Sequence, residues 1–149
     1  MSATTPTTRT RSSVDVDSLV VAGLVAFAAV HFALAIFMAV APHAFYNSIG
    51  PFGGRNDHYV RDVATYNAAL GAGLAIAVRR RSWRIPVLAV TTIQFALHSI
   101  NHLLDIGAAD PAWVGYFDFF ALAAATLQLA WLMRAAARTP PTNPEGAPR

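Results

Sequence analysis

A pair of histidines one helical turn apart is the pattern most suited to chemistry in this sequence. His98 and His102 lie in the segment TTIQFALHSINHLLD, residues 91–105. On a helix this spacing allows two imidazoles to bind one metal ion, but a complete site needs further ligands. The zinc-protease motif HExxH is absent, because Ser99 occupies the position of its glutamate. The pair predicts either part of a metal site or a hydrogen-bonded pair in a structural network.

Asp118 is the carboxyl most suited to act with this pair. It interrupts an apolar stretch, WVGYFDFFALAAATLQLAWLM, where a carboxylate must be paired, protonated or bound to a cation. A carboxyl beside a histidine supports proton transfer or general acid–base catalysis, and it equally suits a cationic or hydroxylated ligand. We therefore expect four residues to carry any catalysis: His98, Asp118, His102 and Asp62.

A polar stripe extends along the helix that contains the histidine pair. Its members recur at steps of three and four residues, which places them on one helical face: Gln94, His98, Asn101, His102 and Asp105. Such a face is costly in hydrocarbon, so we expect it to face protein or water inside a bundle. The ligand-binding residues predicted at the same level are Arg61, Tyr66, Asn67, Gln94, Asn101, His31 and His58.

The cofactor is left open by the sequence. A metal ion on His98 and His102 is one option, and haem b between His31 and His98 is another. The chain has no cysteine, which excludes disulfides, thiolate nucleophiles and thiolate metal ligands. The alternative for each histidine is a polar contact that only fixes which helices meet, worth about 0.6–2 kcal/mol.

The elements that must position these residues are predicted from the apolar runs. The 149 residues are 55% hydrophobic and 13% charged, which favours one small membrane domain over a soluble one. We predict an all-α fold, a four-helix transmembrane bundle over residues 19–135, with spans at about 19–40, 57–78, 85–104 and 113–133. Residues 1–18 and 139–149 are predicted to be disordered cytoplasmic tails. A signal peptide is the alternative for the first span, but the apolar run is too long and Pro42 follows the possible cleavage triplet.

Local signals refine this outline. Residues 41–56 contain breakers and aromatic side chains, so they form either a lid over the bundle or an aromatic anchor in the headgroup layer. Asn56 is the predicted cap of the second helix, followed by possible pairs of Asp57 with Arg61 and of His58 with Asp62. Further along are two more predictions: a flat strip for helix contact at Ala69, Gly73 and Ala77, and a third helix with Pro86 in its first turn.

The basic residues indicate the topology. All eleven are arginines, and all but Arg55 and Arg61 lie before the first span, between the second and third, or after the fourth. This favours a multi-pass protein of the plasma membrane with both termini cytoplasmic, N-in and C-in, and it disfavours nucleic acid as a partner. At about 1.5 Å per residue, the polar groups then fall at the midplane or in the outer half, while the inner half is nearly all apolar. We therefore predict a polar pocket open to the outside.

A family resemblance agrees with this outline. The first span ends in PHAFYNSIGPFGG, and a polar, arginine-bearing start of helix two leads into a Gly/Ala-rich span and a basic turn. The pattern resembles small bacterial four-helix membrane proteins of the DoxX-like superfamily over about residues 19–135, through Phe45, Tyr46, Arg61, Tyr66, Gly71 and Gly73. Some members are linked to quinone or thiol redox complexes, but the absence of cysteine argues against thiol chemistry here. The segment NHLLD lies outside the shared pattern.

Two functions from different classes follow. The first is a membrane protein whose His/Asp/Arg pocket binds or transforms a small amphiphilic ligand. The second is a non-enzymatic accessory or assembly subunit, in which the polar groups order the helices or bind a membrane partner protein.

Overall fold

Five helices account for most of the chain. The computed structural model describes residues 15–138, and the helices are α1 (Val16–Val40), α2 (Pro42–Ser48), α3 (Asp57–Arg79), α4 (Arg81–Leu104) and α5 (Trp113–Arg138). Three of them, α1, α4 and α5, are long and apolar enough to cross a membrane. The all-α prediction is confirmed. The more polar α3 is not among those three, although it has 23 residues.

The first helix begins earlier than predicted. Its N-cap is Asp15, whose carboxylate accepts a hydrogen bond from the backbone N–H of Asp17 at 3.2 Å. Such a cap satisfies one of the free N–H groups at a helix start. Residues 16–18, which we expected in the disordered tail, are therefore helical. The other residues predicted as tails, 1–14 and 139–149, lie outside the described residues.

The segment after α1 is partly helical rather than wholly a connection. Pro42 occupies the first turn of α2, where its fixed φ suits the helix and its missing N–H costs nothing. The ring of Phe45 on α2 packs edge-on against Phe37 on α1, with 5.8 Å between centroids. This contact holds α2 against the end of α1.

The second and third long helices form a hairpin with a single linking residue. Asn56 caps α3 as predicted, accepting hydrogen bonds from the backbone N–H groups of His58 and Tyr59. Only Arg80 separates α3 from α4. The predicted boundary was wrong, since α4 begins at Arg81 and not near residue 85. Pro86 therefore lies past the first turn, where it removes a hydrogen bond to the carbonyl four residues earlier.

Small residues set the helix contacts. In the pairs that pack most extensively, α1 lies against α3 and α4 against α5, and α3 joins the two pairs. Gly71 lies against the side chains of His31 and Phe32, and Gly73 lies against Val87. Of the predicted strip on α3, Gly73 and the fully buried Ala77 pack as expected, but Ala69 is exposed.

One end of the bundle is rich in arginine and contains a buried ion pair. We call it the basic end; the starts of α1 and α4 meet the end of α3 there. Asp17 binds Arg81 at 2.9 Å and Arg84 at 2.5 Å. The Nε of Arg84 also donates to the backbone carbonyl of Ala77 at 3.3 Å, and only 6% of Arg84 is exposed. Asp17 and Arg84 lie just before the predicted spans, which begin at about residues 19 and 85, so the nearly all-apolar inner half stays a prediction.

The opposite end is closed by the two longer connections. Phe52 and Ala109 form an isolated β-bridge, and the backbone N–H of Asp110 donates to the carbonyl of Pro51 at 3.3 Å. The hydroxyl of Tyr46 donates to the carbonyl of Gly53 at 2.5 Å. These bonds tie residues 49–56 to the α4–α5 connection, so the two connections form a single cap.

Candidate functional site

The predicted histidine pair forms in the structure. The Nε2 atoms of His98 and His102 are 3.0 Å apart, and the ring centroids are 4.8 Å apart. A hydrogen bond between two ring nitrogens requires one to donate and the other to accept, so at least one ring is neutral. The side-chain nitrogen of Gln94 lies 3.4 Å from Nδ1 of His98. Gln94, His98 and His102 thus form a chain of polar contacts along α4, which we call the relay.

The relay ends in atoms that have no partner. Among the described residues, His102 Nδ1 and Gln94 Oε1 are buried and make no hydrogen bond. If the Gln94 amide donates to His98, then His98 donates to His102 and the free Nδ1 of His102 carries a proton. In the opposite tautomers that same atom is an acceptor. A buried polar atom without a partner costs about 1–3 kcal/mol, so each end favours a bound donor or acceptor.

A groove runs beside the relay between α3 and α4. Its volume is about 480 Å³, and it is open to the side of the bundle. Val90, Ile93 and Leu97 form the apolar part of its wall. The polar part consists of Tyr66 from α3 with Gln94, His98 and Asn101 from α4. We call it the α3–α4 groove; it joins a hydrocarbon surface to a short row of hydrogen-bonding groups, as ligand sites commonly do.

The cap lies over the end of the relay. The ring of Phe52 meets the imidazole of His102 edge-on, with 4.9 Å between centroids and an interplanar angle of 87°. Residues 41–56 were expected to be either a lid or an interfacial anchor. Their position against His102 favours the lid, because Phe52 separates the relay from the space beyond this end of the bundle.

A second polar contact lies in the bundle interior. The Nδ1 of His31 is 2.9 Å from the side-chain oxygen of Asn67, so the imidazole donates to the amide. His31 is 2% exposed, and its ring packs edge-on against Phe95 at 5.6 Å. The Asn67 amide in turn donates to the carbonyl of Val63 at 3.0 Å. This contact joins α1 to α3, and neither His31 nor Asn67 lines the α3–α4 groove.

Asp118 is not brought to the histidine pair. It is 9% exposed, and its Oδ2 is buried without a hydrogen-bond partner in the described chain. Within residues 15–138 no hydrogen bond or ion pair joins Asp118 to His98 or His102. A polar contact that does link α4 with α5 is between the hydroxyls of Ser99 and Thr126, at 3.4 Å. The predicted pairing of Asp118 with His98 or His102 is thus absent from the described residues.

The charged start of α3 lies outside the α3–α4 groove. His58 pairs with Asp62 at 3.5 Å as predicted, with both side chains largely exposed. Asp57 pairs with Arg55 at 3.1 Å, so its predicted pairing with Arg61 is wrong. Arg61 is exposed. The structure therefore does not gather His58, Arg61 and Asp62 into one pocket with the relay.

The proposed cofactors fit poorly. In the described part of the chain, no group of three or more His, Asp or Glu side chains is placed to hold a metal ion. His98 and His102 alone supply two nitrogens, fewer than a zinc site uses. A haem between His31 and His98 does not fit either, because His31 is in the core and His98 is on the surface. The groove that His98 lines does not include His31.

Sequence reasoning missed the ion network of Asp17, Arg81 and Arg84. The signal was present: a carboxylate precedes the first apolar run, and two arginines three apart begin the third. Under the predicted topology both segments begin at the same end of the bundle. The pairing was therefore deducible, but the aspartate was assigned to a tail.

No family model, curated protein or solved structure matches the chain.

Proposed function

We propose that this chain is an integral membrane protein that binds a small amphiphilic molecule in the α3–α4 groove. The observation that carries the proposal is the relay, because the unpartnered Oε1 of Gln94 belongs to a residue that lines the α3–α4 groove beside its apolar wall. The apolar part of the ligand contacts Val90, Ile93 and Leu97. A hydroxyl head donates to the unpartnered Oε1 of Gln94 in the polar row, since both ring nitrogens of His98 are already engaged within the relay.

The membrane arrangement belongs to the same proposal. Helix α3 packs against both α1 and α4, and its 23 residues extend about 35 Å, against about 30 Å for a bilayer core. We propose that α3 crosses with the three apolar helices as a four-helix transmembrane bundle. The arginine-rich end then faces the cytoplasm, with N-in and C-in topology in the plasma membrane.

The DoxX-like resemblance remains part of this proposal. Two of the glycines that carry it, Gly71 and Gly73, lie at contacts of α3 with its neighbours, where a larger residue would meet Phe32 or Val87. Tyr66, also in the pattern, lines the α3–α4 groove. Three of the six residues that carry the resemblance therefore lie at helix contacts or in the groove.

A second function is favoured by the exposure of this same face. His98, Asn101 and Tyr66 are exposed on the single chain, yet polar side chains within a membrane span are costly when they face lipid. A membrane partner protein that covers this face would remove that cost. The chain would then be a non-enzymatic accessory or assembly subunit, and the relay would bind the partner.

Mass spectrometry of the protein purified in mild detergent distinguishes the small-molecule function from the accessory-subunit function. We expect a bound small molecule in the wild type. His98→Ala removes the group that orients the Gln94 amide toward the ligand and lowers retention about two- to twelvefold, from about 0.5–1.5 kcal/mol for one hydrogen bond. His43→Ala is the control, because His43 is an exposed histidine of α2 outside the α3–α4 groove.

Filling the groove gives a second readout. Val90→Trp fills its apolar part and keeps all three relay residues, and it should also displace the ligand. An equal loss of ligand in His43→Ala would contradict the α3–α4 groove as the site. If no small molecule is bound and a second protein co-purifies in a His98-dependent way, the accessory-subunit function replaces the first.

A further inference from the structure

A second groove lies between α1 and α3 near the basic end. Its volume is about 610 Å³, and its apolar part is lined by Val25 and Ala28 from α1 with Ala75, Ile76 and Val78 from α3. Two of these are alanines, so the recess exists because the side chains there are short. We call it the α1–α3 groove. It shares no lining residue with the α3–α4 groove.

Two arginines border this groove at the helix end. Arg79 ends α3 and Arg80 is the link to α4, and both are exposed and line the groove. Within residues 15–138 neither forms an ion pair, although both stand close in sequence to the paired Arg81 and Arg84. Their positive charges are therefore available to an anion.

The two carboxylates that the structure describes at this end are already engaged. Asp15 caps α1 by accepting a backbone N–H, and Asp17 binds Arg81 and Arg84. In the described chain the groove itself is lined by no acidic residue. The charge at the mouth of the groove is thus uncompensated and positive, while the wall behind it is hydrocarbon.

This arrangement matches one class of ligand. A phospholipid with net negative charge presents a phosphate at the level where helices leave the bilayer, with acyl chains below it. Basic pockets between transmembrane helices on the cytoplasmic side bind such headgroups. Arginine guanidinium groups bind phosphate oxygens with short charge-assisted hydrogen bonds.

We propose that the α1–α3 groove is a binding site for an anionic phospholipid. The phosphate contacts Arg79 and Arg80, and an acyl chain lies along Val25, Ala28 and Ile76. The distance along α3 from Ala75 to Arg79 is about 6 Å at 1.5 Å per residue, so headgroup and chain reach their partners at once. The site needs no ligand in the α3–α4 groove.

Native mass spectrometry of the full chain in detergent tests the proposal. The protein is titrated with phosphatidylglycerol, with phosphatidylcholine and with inorganic phosphate. We expect retention of phosphatidylglycerol over phosphatidylcholine, with little competition from inorganic phosphate, because the apolar wall contributes to binding. Arg79→Gln with Arg80→Gln should weaken phosphatidylglycerol binding about twenty-fivefold, from about fivefold for each arginine near the membrane surface.

A matched pair of arginines provides the control. Arg134 and Arg138 are exposed near the same end, on α5, but do not line the groove. Arg134→Gln with Arg138→Gln removes the same charge and should change binding less than about threefold, because these exposed arginines do not line the groove and act only through solvent and salt. Ala75→Phe keeps both arginines and fills the groove, so it should also weaken phosphatidylglycerol binding.

Three outcomes overturn the proposal. If Arg134→Gln with Arg138→Gln weakened phosphatidylglycerol binding equally, the lipid would be responding to the general positive charge of this end rather than to a site. If inorganic phosphate displaced phosphatidylglycerol at concentrations similar to those at which the lipid itself binds, the arginines would form a phosphate site and the groove would have no role. Unchanged binding in Ala75→Phe, with far-UV circular dichroism confirming the fold, would show that the acyl chain lies elsewhere.

Discussion

The buried ion pair between Asp17 and Arg84 should be a large contributor to stability, and Asp17→Ala tests it. Arg84 is 7% exposed in its side chain, and the aspartate retains 21%. Removing one partner of a fully buried pair costs about 3–5 kcal/mol, because the remaining charge is left without compensation. Water still reaches the carboxylate here, so we expect Asp17→Ala to lower the free energy of unfolding by about 2–4 kcal/mol.

Arg81 provides an internal control, because it binds the same carboxylate from a more exposed position. Its side chain is 38% exposed, and the contact is 2.9 Å. Exposed ion pairs contribute about 0–1 kcal/mol. We therefore expect Arg81→Ala to cost less than about 1 kcal/mol, although it removes the same charge as Arg84→Ala.

Double-mutant cycles in mixed micelles measure the difference. Unfolding is followed by far-UV circular dichroism as the denaturing detergent fraction rises, and the coupling energy is taken from each cycle. We expect about 1.5–3 kcal/mol for Asp17 with Arg84, and below about 1 kcal/mol for Asp17 with Arg81. Replacing both buried partners, as Asp17→Leu with Arg84→Met, should restore most of the loss. Equal coupling energies in the two cycles would refute the reasoning from burial.

Two further predictions concern packing and an interior hydrogen bond. Gly115→Ala should lower the free energy of unfolding by about 1–3 kcal/mol, because its Cβ would meet the backbone carbonyl of Ile106. The control is Gly54→Ala, which has open space around it and should change the free energy of unfolding by less than about 0.5 kcal/mol. A similar effect at both sites in the same detergent titration would contradict this account of the packing at Gly115. His31→Leu should lower the free energy of unfolding by about 1–2 kcal/mol, because it leaves the side-chain oxygen of Asn67 without a hydrogen-bond donor. Adding Asn67→Ala to this variant should lower the free energy of unfolding little further. Fully additive losses would show that the two side chains are not coupled.

The helices could be predicted from the sequence, but the faces that pack together could not. Apolar runs place α1, α4 and α5, and Asn56 marks the start of α3. Inside and outside are harder to distinguish, because lipid tails are as apolar as a protein core. Leu127 is 73% exposed and Leu129 is fully buried, two residues apart on α5. Hydropathy gives both the same value.

The candidate site shows the same limit in another form. Counting residues along each helix gives the depth of a side chain, and it placed His98 and Asp118 at a similar level. Depth says nothing about rotation around the helix axis. His98 faces the α3–α4 groove, and Asp118 is buried in α5 without a bond to it. The spacing of His98 and His102 was sufficient for their contact, since that contact lies within one helix.

Helix starts were misplaced for a related reason. Asp17 was taken as tail because residues 1–18 are rich in Ser and Thr and have no apolar period, and Pro86 was taken as a helix start because proline favours the first turn. The structure extends both helices toward the basic end, where Asp17 and Arg84 meet. A charge that finds a partner across the bundle allows a helix to begin earlier than its hydropathy indicates.

The lateral opening of the α3–α4 groove, beneath a cap that covers His102, bears on how affinity should be expressed. A molecule that enters from the side is drawn from the pool dissolved in the surrounding hydrocarbon, so its mole fraction there fixes occupancy. Diluting the sample with buffer would then change saturation little, whereas adding empty micelles or vesicles would reduce it. Titrations at several lipid-to-protein ratios should collapse onto a single curve when plotted against that mole fraction.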